Sequence, residues 1–198
     1  MSLITLPSAF KPVSCQLTLD VNQRVTASPF GGSEQATDLL NDRWRMTCDL
    51  PASLWADAAI REAFIGSMRG MSNWVALYHF ARQQPRGTAR GTQTLNADVA
   101  QGASSIVITG VSPSTGTYLA GDLFGVSSLL LMCSTDCTAS GGVITVPVVN
   151  RVRKALTSGS AVTWYRPTAL FRMLSTSGIG YSPAIASGSQ FEFGEYIA

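Results

Sequence analysis

The chain has 198 residues, 45% of them hydrophobic and only 13% charged, with a formal net charge of +2. That length holds one domain or two small ones with a real core. The charge balance is too slight for a nucleic-acid footprint, so no base readout is expected; no run reaches the ~18 apolar residues of a spanning helix, so no membrane insertion is expected either.

Ordinary soluble domains carry about 25% charged residues. A chain this sparsely charged is expected where copies of itself or partners cover much of its surface. The alternative is a monomer that keeps its surface polar with Ser, Thr, Asn and Gln.

The N-terminus, Met1 to Pro7, has neither the basic n-region nor the apolar core of a secretory signal, so synthesis in the cytoplasm is expected. Ser14 to Asp20 alternates apolar and polar residues, the mark of a strand with one buried face. Val21 to Thr26 continues it less cleanly, and Ser28 to Gly32 is a turn or loop. A second alternation places Trp44, Met46, Cys48 and Leu50 on one face and Arg43, Arg45, Thr47 and Asp49 on the other. Arginines on the outer face of a sheet must meet water or a partner's acidic groups. Cys15 and Cys48 fall in the apolar phase of their strands and are expected to be buried free thiols.

Pro51 ends the strand because it lacks the N–H that a ladder needs. Ser53 is the expected N-cap of a helix over 54–68. Ala56, Ala58, Ala59 and Ala63 favour that helix, and Asp57 suits its positive end. Ile60, Ala63, Phe64, Ser67 and Met68 share a face that should lie on the sheet, and Gly70 can supply the C-terminal cap. Trp74 to Tyr78 reads as a strand. The polar, basic, glycine-rich stretch 84–92 is a boundary that carries the chain into a second β-unit.

That unit runs to Pro167. Its strands are expected at 105–109, 123–126, 129–133, 143–149 and 161–165, with turns at Pro113 to Gly116, Gly121-Asp122, Gly141-Gly142 and Ser158-Gly159. Short strands at this spacing suggest a small barrel or sandwich. After Pro167, Leu170 to Leu174 and Gln190 to Tyr196 alternate again as the last strands of the first unit. The expected fold is therefore mainly β: a sandwich or barrel from 1–92 and 168–198 with one packed helix, and an inserted small β-barrel or sandwich at 93–167.

Candidate chemistry is thin. His79, the sole histidine, has no cysteine beside it in sequence with which to form a thiol–imidazole pair. The acids are scattered, mostly in turns or on the helix; Glu192 and Glu195 on the last strand are expected to face solvent or a neighbouring subunit. Cys133 and Cys137 are not a metal pattern, and their spacing leaves a free pair or a disulfide open. No phosphate-cradling glycine loop precedes a helix. No metal, cofactor or catalytic residue is expected, and the chain is not expected to be an enzyme. Arg151, Arg153 and Lys154 form the one tight basic cluster, either a solvated strand end or, with Arg43 and Arg45, a contact across a subunit interface. Trp164 and Tyr165, beside Arg166, are either core or a sugar-stacking surface.

Several of these blocks occur together in a familiar order. Trp44 to Leu50, Pro51, the helix end Ala63-Phe64-Ile65-Gly66-Ser67-Met68-Arg69-Gly70 and the block from Trp74 to Thr88 resemble the N-terminal part of tailed-bacteriophage virion proteins. Gly121 to Val126, Val149 to Ala155, Pro167 and Leu170 to Met173 continue the resemblance to small tail-tip proteins of the distal tail type. It implies a β-domain that assembles into a ring, commonly sixfold, around the tail channel, with a second β-domain on the outside. Such a homo-oligomer joins the tail tube to the hub and carries receptor-binding proteins. The implied location is the virion tail, after synthesis in the host cytoplasm. The alternatives are another tail or head-to-tail ring component, or a glycan-binding module of a phage adhesion device.

Overall fold

The structure, a computed structural model, describes residues 1–28 and 31–197. Pro29 and Phe30, in the loop expected over 28–32, lie outside the described residues.

The chain begins with β1 (Leu3–Ile4), β2 (Ser14–Asp20), a hairpin of β3 (Gln23–Ala27) and β4 (Glu34–Asp38), and β5 (Arg43–Leu50). The short β6 (Ser53–Leu54) leads into α1 (Trp55–Met68), and β7 (Trp74–Leu77) follows. The middle of the chain holds β8 (Gln93–Leu95), β9 (Ser105–Thr109), β10 (Thr117–Tyr118), β11 (Leu123–Val126) and β12 (Leu129–Met132). It continues with β13 (Cys137–Thr138), β14 (Ile144–Pro147) and β15 (Ala161–Thr163). β16 (Ala169–Thr176), β17 (Ile185–Ala186) and β18 (Ser189–Glu195) complete it.

The protein is mainly β, of the sandwich or barrel class, with a single helix among the described residues and a sheet curled as a half-barrel. One six-stranded sheet has the order β1-β7-β16-β18-β5-β2, the other β12-β11-β15-β8-β9-β14. Only β1 and β7 pair in parallel; the other named pairs are antiparallel. Strands of the first sheet come from the two ends of the chain and those of the second from the middle.

Alternation decides which side chains meet. β5 buries Trp44, Met46, Cys48 and Leu50 and turns Arg43 and Arg45 outward. β18 pairs with β5 and buries Phe191 and Phe193 on the same side. Phe10, from the loop before β2, packs between helix and sheet: its ring lies 5.8 Å from Phe64 and 5.3 Å from Phe191. The second sheet has its own core, built around Ile106, Ile108, Phe124, Leu131, Ile144 and Val146. Leu123 and Leu130, on β11 and β12, point the other way and join the first core. These two strands are apolar without alternation because both of their faces are covered.

The helix differs from the sequence reading in three ways. Ser53 does not cap it. Ser53 and Leu54 form β6, which pairs with β17, and Leu54 holds the N-cap position without a side-chain bond. The buried line runs through Ala58, Arg61, Phe64 and Met68, while Ile60 and Ala63 are exposed. The face is rotated because Arg61 can go inside: its Nε donates to Ala9 O at 3.1 Å and its Nη1 to Pro51 O at 2.9 Å. At the other end Arg69, in the left-handed region at φ +47°, caps the helix through its N–H to Gly66 O, and Gly70 follows at φ +62°.

A buried polar junction joins the two sheets. Arg153 bonds both carboxylate oxygens of Glu195 at 2.6 Å, and the two side chains are almost wholly buried. Glu195 Oε2 also accepts from Trp44 N–H at 3.0 Å, and Arg153 Nη1 donates to Asp42 O. The Trp44 indole donates to Leu130 O at 2.8 Å, and the Asn150 amide donates to the same oxygen at 2.9 Å. Glu195 therefore does not face outward. It lies in phase with Phe191 and Phe193, four and two residues before it, and follows them inward.

Replacing Arg153 by Met leaves Glu195 buried without its counter-charge and is expected to cost about 3–5 kcal/mol. Arg153→Met combined with Glu195→Gln removes both charges, keeps an acceptor for Trp44 N–H, and should recover much of that loss. Urea unfolding of the variants and the parent chain measures both effects.

Candidate functional site

The turns 79–87 and 119–122 face each other where the two sheets meet. The first begins at buried His79, whose Nδ1 and carbonyl oxygen both accept from Arg82 N–H at 3.1 Å. Burial, and then the Arg82 charge, hold the imidazole below its ordinary pKa. The second turn is ordered by Asp122, which is buried. Its carboxylate accepts from the N–H groups of Leu119 at 2.8 Å, Arg86 at 2.8 Å and Gly87 at 3.0 Å. The acceptor-only carboxylate thus clasps the crossing chain to the turn. Gly87 is required there, since a Cβ would meet Thr117 O at 2.0 Å.

Between the turns lies a groove of about 780 Å³, lined by residues 81–84, Arg86, residues 120–123 and Tyr165. Arg86 donates to Ala120 O at 2.6 Å, and Arg82 to Gly121 O at 3.3 Å. Arg166 lies over the rings of Tyr78 and Tyr165 at 5.2 and 5.3 Å and donates to Gln83 Oε1 at 2.8 Å. Arg90 covers Trp164 at 4.9 Å. This arginine-rich surface can attract an anion.

The sequence candidates are dispersed. Arg43 is exposed and donates to Asn41 Oδ1 at 3.4 Å. Arg45 bridges Asp20 at 2.8 Å and Glu192 at 2.9 Å on the outer face of the first sheet. Arg151 is exposed, 3.4 Å from Asp38, and Lys154 is half-buried. Arg153 points the opposite way, into the junction with Glu195. Residues 151–154 are not a strand, so the alternation that would align Arg151 with Arg153 does not apply. Trp164 is occupied: its indole donates to Gly91 O at 2.9 Å beneath Arg90. Tyr165 is 49% exposed and faces the groove. Arg82 and Arg86 were not among the sequence candidates. The signal for Arg86 was the basic character of the boundary stretch 84–92, together with an aspartate embedded in the apolar run after Gly121; Arg82, just before that stretch, had none.

The cysteines form two close pairs of free thiols. Cys15 and Cys48 face each other across β2 and β5 with sulfurs 3.7 Å apart. Cys133 and Cys137 lie at 3.9 Å. A hydrogen bond from Cys48 lowers the half-buried Cys15 thiol to about 7, helped by the Phe80 N–H and the Arg82 charge against the opposing effect of burial. The same bond, with burial, pushes Cys48 far up. Among the described residues no three His, Cys, Asp or Glu side chains gather as a metal-ligand set, and no helix is long and apolar enough to cross a membrane.

No protein-family model matches the chain, and no curated protein matches it significantly.

Of the Cys15–Cys48 pair, Cys15 should be the thiol that reacts. Because the thiolate is the nucleophile, carbamidomethylation of Cys15 is expected to rise with pH through about 7, with Cys48 unmodified. In Cys48→Ala the midpoint should return toward the ordinary thiol value of about 8.5. Peptide mass mapping after timed labelling reads both.

Proposed function

We propose that the protein is a structural component of a bacteriophage tail. In this reading copies of the chain form a ring at the tail tip, hexameric by the family resemblance, that connects the tail tube with the hub or receptor-binding proteins. The activity is assembly rather than catalysis, and the site of action is the virion.

The observation that carries this reading is the β3–β4 arm. Every described residue of both strands is exposed. Val25 is open to solvent on the arm, as are Val21 and Leu39 at its base. A lone two-stranded ribbon is marginal in water. This one is tied to the body at its foot, where Asp38 meets Arg151 at 3.4 Å and Asn22 N–H donates to Asp42 Oδ1 at 3.1 Å. A neighbouring copy would cover the rest. An arm that reaches onto a different part of the next subunit makes a head-to-tail contact, and such contacts form a ring when the rotation between neighbours closes. Among the described residues β2 ends its sheet with an unpaired edge, which the same neighbour can protect.

A second surface suits a different tail protein. Leu54 and Ile185 are cross-strand partners on β6 and β17, and both are exposed beside exposed Trp55. Tyr181, bonded through its hydroxyl to Glu62, stands next to β17. An aromatic and aliphatic patch of this kind is the usual anchor of a protein interface.

The test is the oligomeric state of the purified chain. Light scattering and sedimentation are expected to give a closed oligomer for the parent and a monomer for Val25→Asp/Leu39→Asp, with unchanged far-ultraviolet circular dichroism in the variant. A parent chain that stays monomeric at high concentration removes the ring reading.

A further inference from the structure

We infer that the groove between the turns 79–87 and 119–122 binds an acidic saccharide, with its carboxylate or phosphate group on Arg82 and Arg86 and a sugar ring against Tyr165. This goes beyond assembly and does not depend on it.

The first ground is charge. Arg82, Arg86, Arg90 and Arg166 gather along one seam, although the whole chain carries a formal charge of only +2. The acids nearby are already engaged. Asp122 is buried and accepts from the N–H groups of Leu119, Arg86 and Gly87, with Arg86 Nε a further 3.8 Å away. Asp136 accepts from Ala120 N–H at 2.7 Å on the same turn. Among the described residues Arg82, Arg90 and Arg166 form no ion pair. Arg82 and Arg86 line the groove, and they donate to the turn carbonyls of Gly121 and Ala120, with Arg86 also facing the Asp122 carboxylate. These bonds hold the guanidinium groups in place while leaving N–H donors for a ligand, since each guanidinium carries five.

The second ground is the shape and character of the rest of the lining. A volume of about 780 Å³ is in the range of small-ligand sites. Tyr165 offers an exposed ring backed by Arg166 at 5.3 Å, and Gln84 is exposed at the wall. A ring with a hydroxyl, an amide and fixed cations suits a sugar bearing an acidic group. An acidic peptide is less well served. Extended peptides gain affinity by adding to a sheet edge, and the groove walls are turns. Among the described residues the one strand that reaches it, β11, is paired with β12 at Leu123 and with β15 from Gly125 on, which leaves a short edge for a peptide. A bare phosphate would use the arginines and leave Tyr165 without a role.

The test titrates the full chain calorimetrically with trigalacturonate, glucose 6-phosphate, maltotriose, inorganic phosphate and hexaglutamate. Binding of trigalacturonate or glucose 6-phosphate, and not of maltotriose, is expected, and which of the two binds identifies the acidic group. Arg82→Gln and Tyr165→Ala should each weaken it by about tenfold, the scale of one charge-assisted or stacking contact, with unchanged melting temperature. Arg69→Asn, which removes a charge at the helix end, should leave it unchanged. The proposal is overturned if neither acidic sugar binds, if maltotriose binds equally, or if both groove variants bind like the parent. Hexaglutamate binding more tightly than the sugars overturns it in favour of an acidic peptide. Inorganic phosphate binding as tightly as the sugars, with Tyr165→Ala silent, reduces the groove to an anion site and also overturns it.

Discussion

The arrangement of the two sheets depends on one buried ion pair. Arg153 comes from the loop after the second sheet's β14, and Glu195 ends β18 in the first. Moving two such charges out of water costs several kcal/mol for each ion, and only close, well-bonded partners offset it. Here the carboxylate is held in a fork by the guanidinium and also accepts from Trp44 N–H. Apolar burial is non-directional and would tolerate the sheets sliding over each other. The ion pair tolerates no such slip, because a small displacement would leave both charges buried and unsatisfied. The Trp44 indole and Asn150 amide, converging on Leu130 O, add a second directional constraint beside it.

Much of this fold is legible in the sequence because a strand with one buried face writes its geometry as alternation. β2, β5, β9, β11 and β18 stand at or within a residue of their expected places. Alternation also carries information about Glu195, which keeps the phase of Phe191 and Phe193 and goes inside despite its charge. The error there lay in letting residue type outweigh phase. Arg61 makes the same point on the helix: an arginine with two backbone carbonyls within reach can occupy a buried position. The arm was harder to see. Val21 to Thr26 resembles a continuation of β2, and a ribbon exposed on both faces has no buried side to set a pattern. Phe10 was silent for a related reason, since it packs from a loop without any period.

The candidate site was legible only in pieces. Trp164 and Tyr165 read as one aromatic surface, and their rings do meet edge to face at 6.0 Å, but their polar and groove contacts differ. One ring goes to Gly91 O under Arg90, the other to the groove. The arginines that face Tyr165 across the groove are about eighty positions away in sequence, as the 83-residue separation of Arg166 and Gln83 illustrates. No local pattern encodes such a meeting. It follows from sheet order, which the long connection between β7 and β16 makes possible.

The groove also has a mechanical meaning. Its walls come from both units, the turn after β7 on one side and the turn before β11 on the other. Asp122 already clasps these turns, at a point separate from the Arg153–Glu195 pair. A body held at one polar contact can pivot about it; held at two, it keeps a single orientation. Asp122 accepts from backbone groups and Glu195 from a guanidinium and a backbone N–H, so each attachment constrains direction as well as distance. Two such attachments hold the sheets in one orientation, which is what the tail role proposed above would ask of a part that joins neighbours on several sides.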